Sequence, residues 1–506
     1  MATRSIFNSV VNWFIKDRID RIGNFLKEPI ETQNSVLFSL LEKSKHTVYG
    51  RKHGFKDIDN LSDFQSQVPI VRYEDFEPYI ERTRRGEPNV IWNGKIKQFA
   101  KSSGTTNAKS KYIPITEESL RDCHFRAGKD LISIYCNNHP KNQLFSNKNL
   151  RLGGSAELYE NYNTKYGDLS AILIDNLPFW IEITTTPSKK TSLMTEWEAK
   201  IKAIVAQVKK ENVGSISGVP SWMLILLKKI LEESNKSTIA EIWSQLEVFF
   251  HGGISFKPYK EEYRKIIGKE INFYEIYNAS EGFFAMQDRC RSDELLLMLD
   301  YGIFYEFIKL QDLDKEFPRA YTLGEVEPGE NYAVVISSNG GLWRYLLGDT
   351  IYFTSIAPHR LKISGRTKHF INTFGEELMI DNVEKALEKA CKATQAVVRE
   401  YTGAPIFMSS SSQGGHEWLI EFSKKPKKIE DFNTIFDEEL QKVNSDYEAK
   451  RYKDITLKKP VIHVGKDRVF YVWMSQRGKL GGQNKVPRLS NTREYIEPLL
   501  SLNQKL

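Results

Sequence analysis

Cysteine is scarce: Cys123, Cys136, Cys290 and Cys391 are the only four among 506 residues. No two form a C-x-x-C pair, and no histidine stands at finger spacing from them. A disulfide framework and a structural zinc site are thereby excluded, and reduced thiols are expected. Long apolar runs are missing as well. The longest, such as residues 222–227, fall far short of the roughly 20 residues that span a bilayer. Near the N-terminus Trp13, Phe14 and Ile15 are followed by Lys16, Asp17, Arg18, Asp20 and Arg21, an amphipathic pattern and not that of a signal peptide. The expectation is a cytoplasmic protein with no membrane partner. The 31 Gly and 18 Pro are too few for a collagen-like or low-complexity chain. There is no excess of one charge: 72 basic against 65 acidic residues leave +7. Lys424, Lys425, Lys427 and Lys428 around Pro426 read as a solvated turn, and no basic stripe suggests a nucleic-acid partner.

What is present is a large aromatic complement, 28 Phe, 23 Tyr and 9 Trp, which a disordered chain would lack. The first ninety residues carry helical spacing, as in Val36, Leu37, Leu40 and Leu41. Strand character is expected from Val90, Ile91 and Trp92 onward. A helix is expected over 120–136, capped from Thr116, and others over 196–210 and 222–233. Residues 248–250, 295–299, 332–337 and 352–355 read as strands. Interleaved helices and strands indicate an α/β fold. The boundary falls at Gly365 and Arg366, giving domains 1–365 and 366–506. The second is a small α+β pattern: helix 381–391, strand 418–423, helix 432–446 and a final strand at 469–473.

Four segments carry chemistry. Residues 101–111 (Lys, Ser, Ser, Gly, Thr, Thr, Asn, Ala, Lys, Ser, Lys) follow a short strand. Small hydroxyl residues around Gly104 let backbone N–H groups converge on phosphate oxygens, and Lys111 adds charge. The spacing is not that of a Walker loop. Next, Tyr274, Tyr277 and Glu281 place a carboxylate behind an aromatic strand. Then Gly348 and Asp349 follow Arg344, Tyr345, Leu346 and Leu347. Last, Gly365 and Arg366 precede Lys368. Each segment alone is equally compatible with a turn or a strand end.

Their order resembles that of the acyl-adenylate-forming superfamily. Ser102 to Lys111 followed by Tyr112, Ile113 and Pro114, together with Gln483, Lys485, Pro487 and Arg488, resembles the Gretchen Hagen family of acyl acid amido synthetases. The resemblance implies a large N-terminal adenylate-forming domain of β-sheets flanked by helices, and a small mobile C-terminal lid. It implies ATP and Mg²⁺ as cofactors, and a carboxylic acid and an amino acid or amine as small-molecule partners. Ser102, Ser103, Gly104, Thr105, Thr106 and Lys111 would line the phosphates, and Gly253 and Tyr277 the adenine. Glu281 would hold Mg²⁺, Asp349 the ribose, and Arg366 the ribose or a phosphate. Lys368 falls at the superfamily's hinge. Lys485 matches the lysine that enters the site during adenylation. Trp180, Val219, Trp222 and Met223 would line the acyl pocket. The family usually has glycine where Asn107 and Ala108 stand. Acyl-CoA ligases share the first half-reaction, and a non-catalytic nucleotide binder could share the fold. Neither the substrates nor the oligomeric state is legible.

Overall fold

The computed structural model describes residues 16–102, 111–153, 158–161, 164–253, 256, 259–313, 315–366, 371, 376, 378–406, 414–444, 447–448, 451, 457–479, 485–490 and 492–506. The chain forms two compact units. The first comprises Met1–Ile254, Glu262–Leu347 and Ile351–Lys362, and the second Ser255–Glu261, Gly348–Thr350 and Ile363–Leu506.

Helices open the first unit, as the spacing predicts, with Leu37, Leu40 and Leu41 of Pro29–Ser44 buried. Val90, Ile91 and Trp92 are buried but form no strand. The reason lies in their neighbours. The carbonyls of Asn89 and Val90 accept from the first N–H groups of helix Val48–Lys52, at 2.8 and 2.9 Å, and that of Ile91 accepts from Trp343 Nε1 at 3.0 Å. The segment serves as a helix cap, and the carbonyls of Asn89, Val90 and Ile91 are taken by partners outside any ladder.

One long sheet organises this unit. From edge to edge its strands are Tyr321–Thr322, Ile303–Lys309, Asn331–Ser338, Tyr345–Ile356, His359–Arg366, Leu295–Leu297, Gly282–Met286, Asn272–Ala279, Val248–Gly252, Val213–Gly218, Lys148–Leu152 and Thr185–Thr186. The last five run parallel to one another, with helices such as Trp197–Val208 and Pro220–Ser234 in the crossovers. Asn272–Ala279 turns back antiparallel into Gly282–Met286, where the sheet changes character. A second sheet of four strands carries the hairpin Gln98–Ser102 and Lys111–Ile115.

At Gly252 the backbone of the neighbouring strand is very close. A Cβ there would lie 2.5 Å from the Ile276 carbonyl oxygen, so this position accepts only glycine without displacing a strand. Gly252→Ala is expected to lower stability by about 1–3 kcal/mol, read as a shifted denaturant midpoint at unchanged slope.

The helix expected over 120–136 is two segments: a π-helical stretch Ser119–Phe125 and an α-helix Arg126–Asn138. Thr116 and Ser119 do cap it reciprocally, with backbone-to-hydroxyl bonds of 2.9 and 3.0 Å. The wider turn brings Cys123 Sγ to 3.2 Å from the Phe283 N–H. Beside it His124 is buried, its Nε2 unpaired, and burial pushes its pKa down to about 4. The unfolded imidazole takes a proton near pH 6.5, and the folded one only near 4. His124 therefore leaves stability intact above pH 6.5 and subtracts from it as pH falls toward 4. His124→Leu should flatten this acid limb of the melting temperature against pH.

The second unit has its own core. Val397–Ile406 and Gly415–Lys424 pair antiparallel, and Val461–Gly465 joins parallel to the latter. Helices Ile380–Thr394 and Ile429–Val443 cover them. The expected final strand at 469–473 is instead a helix, Val469–Gln476. The Glu421 carboxylate, buried on the neighbouring strand, accepts from the Arg468 and Phe470 N–H groups at 2.9 and 3.4 Å and so caps its N-terminus. A buried tertiary cap overrides the strand propensity of Val, Phe, Tyr, Val and Trp. All four cysteines are free thiols, and no described helix is long and apolar enough to cross a membrane.

Candidate active site

In the first unit, adjacent parallel strands end side by side. Gly218 is in register with His251, and Gly252 with Ile276. The carboxyl ends of such strands form the crevice where open α/β sheets bind ligands. Several of the residues expected at a site fall here. Val219 is the N-cap of helix Pro220–Ser234, directly after Gly218. Gly253 follows Gly252 with φ +82°, a left-handed turn that ends the strand. Glu281 is a half-buried carboxylate in the turn between Asn272–Ala279 and Gly282–Met286, where the sheet switches from parallel to antiparallel. Tyr277 is buried on the strand leading to that turn, its ring 4.9 Å from that of Phe284.

The acyl-pocket candidates are more dispersed. Trp222 is half-buried on the helix after Val219. Met223 is fully buried, packed 3.3 Å from where a Cβ of Gly218 would stand. Trp180 lies in the short helix Phe179–Ile183; its side chain is outside the described residues.

The hydroxyl-rich segment lies between the paired strands Gln98–Ser102 and Lys111–Ile115. Ser102 is paired with Lys111, and Ser103, Gly104, Thr105 and Thr106, with Asn107 and Ala108, lie outside the described residues. The base of the hairpin is firmly held. Tyr112 N–H donates to Tyr73 Oη at 2.9 Å, and the Arg84 guanidinium stacks 3.6 Å above the Tyr112 ring. The Lys111 ammonium sits 5.2 Å above the Tyr73 ring.

In the second unit Asp349 is buried and follows Gly348, whose φ is +89°. Thr350 Oγ1 accepts from Ser364 Oγ at 2.9 Å, which brings the Gly-Asp and Gly-Arg segments together. Arg366 ends the strand His359–Arg366; its side chain and all of Lys368 lie outside the described residues. Lys485 is exposed.

Two arginines of the motifs turn out to be anchors. Arg344 is buried and grips Glu306 with two bonds of 2.9 Å, while its Nη1 donates to the Gln65 and Val68 carbonyls at 2.8 and 2.7 Å. Arg488 is buried between Glu384, 2.7 Å from Nη1, Glu400, 3.4 Å from Nε, and Tyr259 Oη, 3.4 Å from Nη2. Around it the backbone is stitched to Val397–Ile406. Gly403 N–H donates to Arg488 O at 2.8 Å, Ser490 N–H to Gly403 O at 3.1 Å, and Thr402 Oγ1 to Pro487 O at 2.6 Å. Lys485 therefore stands two residues before a rigidly held point. The sequence contained the arginine but no signal of its role, because its three partners come from distant segments. Arg488→Met is expected to destabilise the second unit by about 3–5 kcal/mol, since the buried Glu384 and the half-buried Glu400 carboxylates lose their cation. Limited proteolysis near residue 485 should accelerate.

Among the described residues no cluster of three His, Cys, Asp or Glu could hold a metal on its own. A single carboxylate such as Glu281 suits Mg²⁺ only when phosphate oxygens and waters complete its shell.

Comparison with known proteins gives a consistent picture. The GH3 family N-terminal domain matches residues 18–271, its central domain residues 296–366 and its C-terminal domain residues 381–494. The jasmonoyl–L-amino acid synthetase JAR6 of Nicotiana attenuata is 25% identical over 66% of this chain and 68% of its own length. The indole-3-acetic acid-amido synthetase GH3.3 of Arabidopsis thaliana is 22% identical over 92% and 90%. The solved structure of AtGH3.15 acyl acid amido synthetase in complex with 2,4-DB superposes with a TM-score of 0.79 at 19% identity, covering 97% of this chain and 96% of that one.

Proposed function

The chain belongs to the GH3 family, and we propose that it is an ATP-dependent acyl acid amido synthetase. A carboxylic acid attacks the α-phosphate of ATP to give an acyl-adenylate and pyrophosphate. An amine, taken to be that of an amino acid, then attacks the acyl carbonyl and displaces AMP. The observation that carries this reading is the match of three consecutive family domains across residues 18–494. The proteins to which the chain is similar are amino acid and acyl acid amido synthetases by name.

In this reading domain 1–365 holds ATP and the acyl acid, and 366–506 is the lid that rotates about Lys368 between the half-reactions. Ser102, Ser103, Gly104, Thr105, Thr106 and Lys111 bind the phosphates, beside a strand that Tyr73 and Arg84 hold at Tyr112. Gly253 and Tyr277 flank the adenine, Asp349 accepts from the ribose hydroxyls, and Arg366 contacts ribose or phosphate. Trp180, Val219, Trp222 and Met223 shape the acyl side. Mg²⁺ bound with ATP would offset charge on the triphosphate, with Glu281 as its protein ligand. Lys485 supplies positive charge where negative charge grows as pyrophosphate departs. Arg488 sets its position. The reaction is assigned to the cytoplasm.

The reading is tested by ATP–pyrophosphate exchange with pooled aromatic, aliphatic and hydroxy acids, followed by amino acids or CoA as acceptor. Carboxylate-dependent exchange and amide formation are expected; thioester formation in place of amide would overturn the acceptor assignment. Lys485→Ala should slow exchange on the order of a hundredfold or more while sparing ATP binding. Asp349→Ala should weaken ATP binding itself. Exchange at the normal rate in Lys485→Ala would remove that lysine from the mechanism.

A further inference from the structure

The sheet face beside the edge strand Thr185–Thr186 departs from the rest of the core. Strands of a parallel sheet are covered on both faces and carry apolar side chains on each. On Lys148–Leu152, Leu150 and Leu152 are buried on one face, and Asn149 and Arg151 take the other. Asn149 is in register with Ser215, and Arg151 with Ser217. Asn149 Nδ2 donates to the Ser215 and Ser217 hydroxyls at 2.8 and 3.0 Å, and Arg151 Nη2 donates to Thr185 Oγ1 at 2.9 Å. Ser215 is buried, whereas Arg151, Ser217 and Gly218 are half-buried. The polar face thus opens toward the carboxyl ends of the strands, the side from which Val219 and Gly253 follow.

Arg151 is short of partners. It forms no ion pair with any described carboxylate, and its Nε is buried without a hydrogen-bond acceptor. Burial pushes its pKa down to about 10, opposed only by the charge of Glu182. A guanidinium so placed carries an unmet donor and a charge with no ion-pair partner among the described residues.

We propose that Arg151 binds the carboxylate of the acceptor amino acid. The inference rests on the amide-forming reading above. A guanidinium presents a planar fork that matches a carboxylate with two parallel bonds. The carboxylate of the acyl acid is the poorer match. It loses its charge on adenylation, so an arginine holding it would favour the unreacted acid over the transition state. The acceptor reacts through its amine and keeps its carboxylate charge throughout. An arginine can therefore anchor it without opposing the chemistry, and would reject amines that lack the acid group.

The test compares wild type, Arg151→Gln and Arg151→Lys in three assays: acyl-acid-dependent exchange, amide formation with an amino acid and with its primary amide, and thermal melting. For Arg151→Gln the KM for the amino acid should rise about tenfold or more, with Arg151→Lys between. The preference for the amino acid over its amide should vanish, and the KM for the acyl acid in exchange should hold. Melting should not fall, because a half-buried charge with no ion pair to a described carboxylate has been removed. An unchanged amino acid KM overturns the inference. So does a raised acyl acid KM, which assigns the arginine to the other substrate, or a large drop in melting temperature alone, which makes it structural. A wild type that exchanges pyrophosphate yet joins no amino acid overturns the amide-forming reading itself, and this site with it.

Discussion

The close approach of two strands at Gly252 is the constraint from which the arrangement of the first unit follows. With only a hydrogen in the way, Val248–Gly252 and Asn272–Ala279 stay in ladder contact up to Gly252, paired with Ile276. Val213–Gly218 stays in register on the other side. The chain then leaves the sheet at neighbouring points: into a helix at Val219, into a left-handed turn at Gly253, and into the reversal at Glu281. A crevice at the ends of parallel strands is a geometric consequence of that shared termination. The polar strip of Asn149, Arg151, Ser215 and Ser217 depends on the same register, since slipping either strand by one residue would turn it to the apolar face.

The second unit solves a different problem, that of holding the Asp349, Arg366 and Lys485 segments, which are short and irregular, in place. Thr350 and Ser364 join the Asp349 and Arg366 segments by a hydroxyl–hydroxyl bond. Arg488, Thr402 and Gly403 fix the stretch that follows Lys485. Buried charge is used here for position: Arg488 lies between two carboxylates and over the Tyr401 ring, 4.9 Å from its centroid. A partly satisfied cluster of this kind would be worse than an apolar one, so its completeness matters. Arg151 in the first unit shows the opposite arrangement, a cation that donates to one hydroxyl and has no ion pair with a described carboxylate.

Much of the fold was legible. Helices with strong apolar spacing, such as Trp197–Val208 and Ile380–Thr394, stand where periodicity puts them. The buried strand ending at His251 and Gly252 follows from Val248, Phe249 and Phe250. The exceptions share a cause. Val90, Ile91 and Trp92 have strand composition, but the carbonyls of Asn89, Val90 and Ile91 are spent on a helix N-terminus and an indole. Residues 469–473 have strand composition but are capped by Glu421 from another strand. In both cases a partner distant in sequence supplies or takes the hydrogen bonds that decide the backbone.

The sequence by itself determined the class of the protein: an aromatic-rich α/β chain, poor in cysteine, with four motif segments in an order that resembles one enzyme family. Such features are local in sequence, so composition, spacing and short motifs record them. It also placed Gly253, Tyr277 and Glu281 correctly on strand ends and turns, because glycine and strand periodicity are local signals. Only the tertiary structure decided that Arg344 and Arg488 are anchors, that Met223 is buried, and that Arg151 stands short of partners on a polar sheet face. An arginine in a sequence states a charge and a reach. Whether that charge is matched depends on carboxylates and hydroxyls contributed by segments far along the chain, and only folding brings those together.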